Sequence, residues 1–389
     1  MTGKCFRARI IPLFALLLCL PCYLLLGFAG VDLVDSMDSD VVIETGLYKL
    51  DLDERERLAR WFEFESQDYF LRLPRKVAHT DVNKVLTFTE LLRPRSAREI
   101  PRIDERTVNW KWQLALCAVF RNEAVFLKEF IEFHRLQGIE HFYFYNNMST
   151  DHYLSVLEPY IAEGCVELFE LPVQNFVHAQ SACYTDAVER CRGKSKWLIL
   201  ADTDIFHFAA ESPNLCSFLA SYDHPLIGGV VGNLCHFGTC GVSYLGDDDL
   251  LIDSCTKRKA EVCDHVRSIV KPHRVWRVDN PHWAHYLPEY FAVDEEFSRI
   301  AHHANPKRLS RKFKVNHYAF RTKEFLYNIW GLRHARFVAE NKGRPLPTQV
   351  TDQDKAALDS IDASYCEVDD YSIQRFIEPL RRRLKNISN

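Results

Sequence analysis

The sequence predicts an α/β domain with a mixed, mostly parallel sheet covered by helices on both faces, behind an N-terminal transmembrane helix. Three observations carry this expectation. Short apolar runs alternate with helical periodicity from residue 114, polar clusters follow the apolar runs, and an uncharged stretch lies near the start of the chain. Leu114–Phe120 (LALCAVF) reads as a buried strand. Phe126, Leu127, Phe130, Ile131 and His134 then fall at helical spacing over Ala124–Leu136, and Gly138 ends that helix. His141–Tyr145 (HFYFY) is the second strand, Tyr153–Ala162 a helix stopped near Gly164, and Val166–Leu171 the third strand. Ser181–Cys191 is a helix followed by Gly193, and Trp197–Ala201 (WLILA) is the fourth strand. Strand and helix in strict alternation mark βαβ units and a parallel sheet. Ligands of such sheets bind beyond the carboxyl ends of the strands.

Ile10–Val31 carries no charge, and about 20 apolar residues span a bilayer. Lys4, Arg7 and Arg9 precede it; Asp32, Asp35, Asp38 and Asp40 follow. That asymmetry places residues 1–9 in the cytosol and the remainder in the lumen, a type II arrangement. The rival is a cleaved signal peptide ending near Gly27–Gly30, whose apolar core would be shorter, roughly 7–15 residues. Residues 32–110 are charged and read as a stem, 111–340 as the catalytic domain, and 341–389 as a charged extension without an assigned role. The net charge of −4 argues against a nucleic-acid binder. Ten of the thirteen cysteines follow the apolar run; an oxidising compartment favours disulfides among them, with the pairing open. Sequons stand at Asn147 and Asn386.

Three polar clusters follow the strands: Arg121-Asn122-Glu123, Asn146–Asp151 and Asp202-Thr203-Asp204. A parallel sheet brings them to one edge. Two carboxylates one residue apart after a buried strand can hold a hard cation, Mn²⁺ or Mg²⁺, whose remaining ligands come from substrate phosphates. The plainer reading of the same residues is a solvated turn or a helix cap. Asn147 and Asp151 could likewise hold a base or ribose, or start the next helix. Asn147, inside the expected cleft, is expected to stay unglycosylated.

The stretch CAVFRNEAVFLKEFIEFHRLQGIEHFYFYNNMSTD resembles the opening of glycosyltransferase family 92, formerly domain of unknown function 23. It is similar, more distantly, to family 2 glycosyltransferases. Gln180–Trp197, ADTDIF, Phe237–Gly241 as an F-G-x-x-G loop, and Val315–Gly331 follow in the family's order. Ile205 replaces the acidic residue of the family's D-x-D-E-F. The resemblance implies a GT-A (Rossmann-type) fold and a Golgi enzyme. It further implies manganese and inverting transfer of galactose from UDP-galactose to a glycan on a glycoprotein or polysaccharide. It places Asp202 and Asp204 on metal and diphosphate, His317 as a late metal contact, and Arg121, Asn122, Glu123, Asn147 and Asp151 around the nucleotide.

Inversion requires a base for the acceptor hydroxyl. Asp253, after Leu250-Leu251-Ile252, is preferred over Asp249 in the exposed Asp247-Asp248-Asp249 run. Lys271, His273, Arg274 and Arg277 form a basic stretch, with Lys271 assigned to the diphosphate. His282 and His285 are weaker candidates for metal or acceptor. A catalytically inactive glycan-binding protein of the same fold is the main rival, and a metal-dependent phosphoesterase the second.

Overall fold

A computed structural model of the chain describes residues 97–171, 176–341 and 345–387. The apolar run Ile10–Val31 and most of the expected stem lie outside these residues. Among the described residues no helix is long and apolar enough to cross a membrane.

The predicted alternation is observed. β1 (Trp112–Phe120), α1 (Ala124–Leu136), β2 (His141–Asn146), α2 (Tyr153–Glu163), β3 (Val166–Glu170), α3 (Phe176–Cys191) and β4 (Ser195–Asp202) follow in order. α3 starts five residues before the expected Ser181, since no Gly or Pro stands in between to stop it. α2 ends where Gly164 adopts a left-handed φ of 82°, a conformation that costs other residues a steric penalty. Strands β1 and β2 are buried on both faces, as their unbroken apolar sequences require.

β3, β2, β1 and β4 run parallel. Beyond them come β5 (Ile205–Ala209), β6 (Ile227–His236) and β7 (Lys257–Arg258). β8 (Val266–Val270) lies between β4 and β6 and is antiparallel to both. β9 (Val275–Asn280) and β10 (Trp283–Tyr286) form a separate hairpin, and β11 (Phe291–Val293) with β12 (Arg299–Ile300) closes the far edge. β13 (Phe313–His317) joins the assembly from the C-terminal half, parallel to β6 and antiparallel to β5.

After β13, Lys323–Phe325 opens a helix that passes through a π-turn, Leu326–Gly331, before continuing as α4 (Leu332–Asn341). α5 (Asp352–Ala363), β14 (Val368–Asp369) and α6 (Ile377–Ile387) follow. This C-terminal stretch belongs to the same core. Phe376 meets Phe133 and Phe208 edge-on, Leu380 is completely buried, and Arg383 pairs with the buried Glu132 of α1 at 2.6 Å. At the other end, Glu105 of the expected stem pairs with Lys271, His273 and Arg274, so residues around 105 lie on the domain as well.

Leu380→Ala is therefore expected to cost about 2–5 kcal/mol, the usual range for emptying a buried leucine site. Denaturant unfolding of the full chain measures it, and a loss below about 1 kcal/mol would remove α6 from the core.

Candidate functional site

Backbone pairing assembles the site. β4 ends at Asp202 and β5 begins at Ile205, leaving Asp202-Thr203-Asp204 as the link between them. Asp202 is opposite Val119 of β1, which carries Arg121–Glu123 to the same edge. His317 of β13 is in register with Ile205 on one side and His236 of β6 on the other. Three segments far apart in sequence thus meet at Asp204.

The two aspartates have different surroundings. Asp202 is well supplied with donors: Oδ1 accepts from Gln180 and from Tyr184 (2.8 Å), and Oδ2 accepts from Arg267. A carboxylate offers about four acceptor positions, and three donors occupy those of Asp202. Asp204 Oδ2 lies 3.4 Å from His317 Nε2 and 3.9 Å from Arg321 Nη1. Its Oδ1 is buried and has no hydrogen-bond partner among the described residues. Burial alone would raise the Asp204 carboxyl. His317, Arg321 and Arg267 outweigh burial and hold it below the usual carboxylate range. A buried, ionised oxygen without a donor is costly, and a bound cation is a chemically sensible partner for it. Asp202, Asp204 and His317 offer donor types that suit a divalent metal, but they are not drawn together as a ligand set. Among the described residues only Cys263, Asp264 and His265 bring three such atoms within 4.8 Å of one another. His317 Nδ1 lies 3.1 Å from His236 Nδ1, an arrangement that orients the His317 ring.

Beneath the aspartates, Glu123 is buried. It accepts from Thr203 and, at 2.6 Å, from Arg321. Burial raises its pKa and Arg321 opposes the rise. The Arg321 guanidinium lies over the rings of Phe126 and Phe325, and its backbone takes a left-handed φ of 52°. Arg333, exposed in the first turn of α4, interacts electrostatically with Glu123, Arg321 and Asp204.

The loops after β1 and β2 hold each other. Asn122 accepts from Thr150 N (2.7 Å), Asn122 N donates to Ser149 (2.9 Å), and Asp151 accepts from Ala124 N (2.8 Å), capping α1. Asn147 is fully buried and its Nδ2 donates to Leu171 O at 3.0 Å, which leaves no room for a glycan. Arg121 is half-buried just beyond β1.

Three expected residues lie elsewhere. Lys271 follows β8, which runs antiparallel to β4, so Lys271 emerges at the opposite edge of the sheet from Asp202. There it is fully buried between Glu105 and Asp223. Asp253 sits in the short helix Leu251–Ser254 and pairs with Arg381 of α6 at 2.8 Å. Asp249 is exposed and folds back onto Gly246 N at 2.8 Å. Neither aspartate contacts the Asp202–Asp204 cluster. His282 is buried, with Nδ1 3.1 Å from Val266 O. The sequence reading missed Arg267, Arg321 and His236. Arg267 carried a usable signal, since a charged residue within the buried run VRSIV must find a partner. Arg321 carried none, because its role depends on long-range pairing.

A family model described as Glycosyltransferase family 92 matches residues 113–328, more than half of the chain. A Glycosyltransferase family 92 protein of Ricinus communis is 25% identical over 69% of this chain and 48% of its own length. One from Oryza sativa subsp. japonica is 21% identical over 72% of this chain and 46% of its own length. The chain spans about half, or less, of the curated relatives it matches. Among solved structures, S. aureus TarS 1–349 matches 65% of this chain and 70% of that one, at 14% identity and a TM-score of 0.31. A likeness that low carries no argument.

Arg321→Met strands the buried Glu123 and is expected to destabilise the protein by about 3–5 kcal/mol. Adding Glu123→Gln should restore part of that loss, and strict additivity in the double mutant would show that the two are not coupled. A pH effect follows from Glu129, which is buried under the backbone N–H groups of Leu251 and Ile252. Burial pushes its pKa up to about 7. A folded-state value above the unfolded one stabilises the protein fully below about pH 4.5, and this contribution is lost as pH rises through about 7, a fall of roughly 3 kcal/mol. Comparing unfolding of the wild type and Glu129→Gln at pH 4.5 and 7.5 checks it. Parallel pH profiles would refute it.

Proposed function

The chain belongs to glycosyltransferase family 92, and from that premise we propose that it transfers galactose from UDP-galactose to a glycan hydroxyl, with inversion at the anomeric carbon. The observation that carries the reading is the buried, unpartnered Asp204 Oδ1 beside His317, at the carboxyl edge of a mostly parallel sheet. A divalent cation, Mn²⁺ or Mg²⁺, held by Asp202, Asp204 and His317, would supply positive charge to the departing diphosphate.

The protein's own residues do the remainder. Arg267 and Arg321 offset the carboxylates and fix their orientation, so the site is formed before the donor arrives. Arg333, exposed and in electrostatic reach of Glu123 and Asp204, is assigned the diphosphate role first given to Lys271. The partly exposed Arg121, Asn122 and Asp151 would line the nucleotide, while the buried Glu123 and Asn147 would brace that edge from behind. Asp249, second to Asp253 in the sequence reading, is kept as the candidate base for the acceptor proton although it lies away from the aspartate cluster. Val242 O and Ser243 O, upstream in the same loop, accept from Lys323 N (2.8 Å) and Glu324 N (3.1 Å) of the segment after Arg321. Asp253, held by Arg381, is less available. A membrane anchor at Ile10–Val31 and a Golgi-lumenal catalytic domain complete the proposal.

Full-length protein incubated with UDP-galactose and other nucleotide-sugars, with Mn²⁺ or chelator, tests it by UDP release and product mass. UDP-galactose should turn over, chelator should abolish turnover, and Asp204→Asn should reduce it more than about 100-fold. Turnover indifferent to chelator would refute the metal. No turnover of any donor, together with glycan binding that survives Asp204→Asn, would establish the inactive glycan-binding protein instead.

A further inference from the structure

We propose that Cys240 and Cys366 form a disulfide that fastens the C-terminal segment to the loop leaving β6, next to the His236–His317 pair. The loop Phe237–Gly241 and the stretch after α5 are already pressed together by other contacts. Asp362 of α5 accepts from Thr239 N at 2.7 Å and from Thr239 Oγ1 at 2.6 Å. β14 pairs with β7, Val368 opposite Arg258 and Asp369 opposite Lys257. Glu367 N donates to Arg258 O at 3.0 Å.

The two sulfurs meet inside this contact. Cys240 Sγ accepts from Lys257 N at 3.2 Å, while Cys366 Sγ lies over Gly238, where a Cβ would approach it to 2.4 Å. Only glycine at 238 therefore lets Cys366 reach its position. Cys240 Sγ lies 3.7 Å from Gly238 O, so both sulfurs border the same glycine, and a local shift of this loop would bring them to the S–S distance of about 2.0 Å. Cys255 also borders Cys240, but it is fully buried and directed at Thr239 O (3.5 Å) and Arg321 O (3.4 Å). Cys240 and Cys366 are partly exposed, so an oxidant can reach them.

Formation runs by thiol–disulfide exchange. The Cys240 thiolate attacks glutathione disulfide and releases one glutathione thiolate. The Cys366 thiolate then attacks the Cys240 sulfur of the mixed disulfide and releases the second. The two protein thiols give up two protons and two electrons, and two glutathione molecules are the reduced products. The crosslink would hold Tyr365, the neighbour of Cys366, against His236, where the rings meet edge-on at 5.7 Å. The inference does not depend on the transferase reading.

Purified full-length protein equilibrated with a glutathione disulfide buffer, alkylated and mapped without reduction, should yield a peptide pair linked through Cys240 and Cys366, with Cys255 alkylated. The oxidised protein should melt about 5–10 °C above its reduced form, and Cys366→Ser should lose that difference. A Cys240–Cys255 link, or alkylated Cys240 and Cys366 after oxidation, overturns the proposal. The mapping is done on the wild type, so its outcome stands whether or not the variant folds and whether or not sugar transfer is detected.

Discussion

Three carboxylates, Glu123, Asp202 and Asp204, are crowded at the carboxyl ends of β1 and β4, and the edge exists only because two buried arginines offset them. Like charges this close, partly removed from water, would otherwise protonate or push the turn open. Arg267 meets Asp202 from β8, and Arg321 bridges Glu123 and Asp204 from the segment after β13. These contacts join the N-terminal parallel strands to the C-terminal half of the chain. Arg321 does so from a left-handed backbone conformation, a cost of about 1–3 kcal/mol that the surrounding packing must cover.

Much of the N-terminal half was legible because each of its elements is defined by local pattern. The runs LALCAVF, HFYFY and WLILA can be buried only as central strands, and the intervening helices carry their own stops. The β5–β6–β13 assembly was not legible, because nothing local specifies that Phe313–His317 pairs with strands about 80 and 110 residues upstream. Lys271 shows the same limit in a single residue. Its basic neighbourhood was read correctly as charge, but placing it required the direction of β8. An antiparallel strand sends its start, Arg267, to the functional edge and its end, Lys271, to the other side.

Asp253 and the C-terminal segment were opaque for a related reason. An acidic residue after an apolar triplet looks available until its partner Arg381 is known, and a sequence rich in charge looks solvated until its ion pairs are seen. Arg383 with Glu132, Lys323 with Asp362, and Arg258 with Asp370 turn that charge into internal packing.

The π-turn at Leu326–Gly331 has a geometric consequence of its own. A wider turn holds one residue more than an α-helical turn, and each residue of an α-helix advances the azimuth by about 100°. The insertion therefore acts as an angular spacer. It leaves Arg321 before the helix untouched while rotating everything after it, Arg333 included. The direction in which that arginine projects is thus set by a count of residues in a neighbouring turn, and the helix could re-aim a cation by gaining or losing one residue without altering the side chains around Asp204.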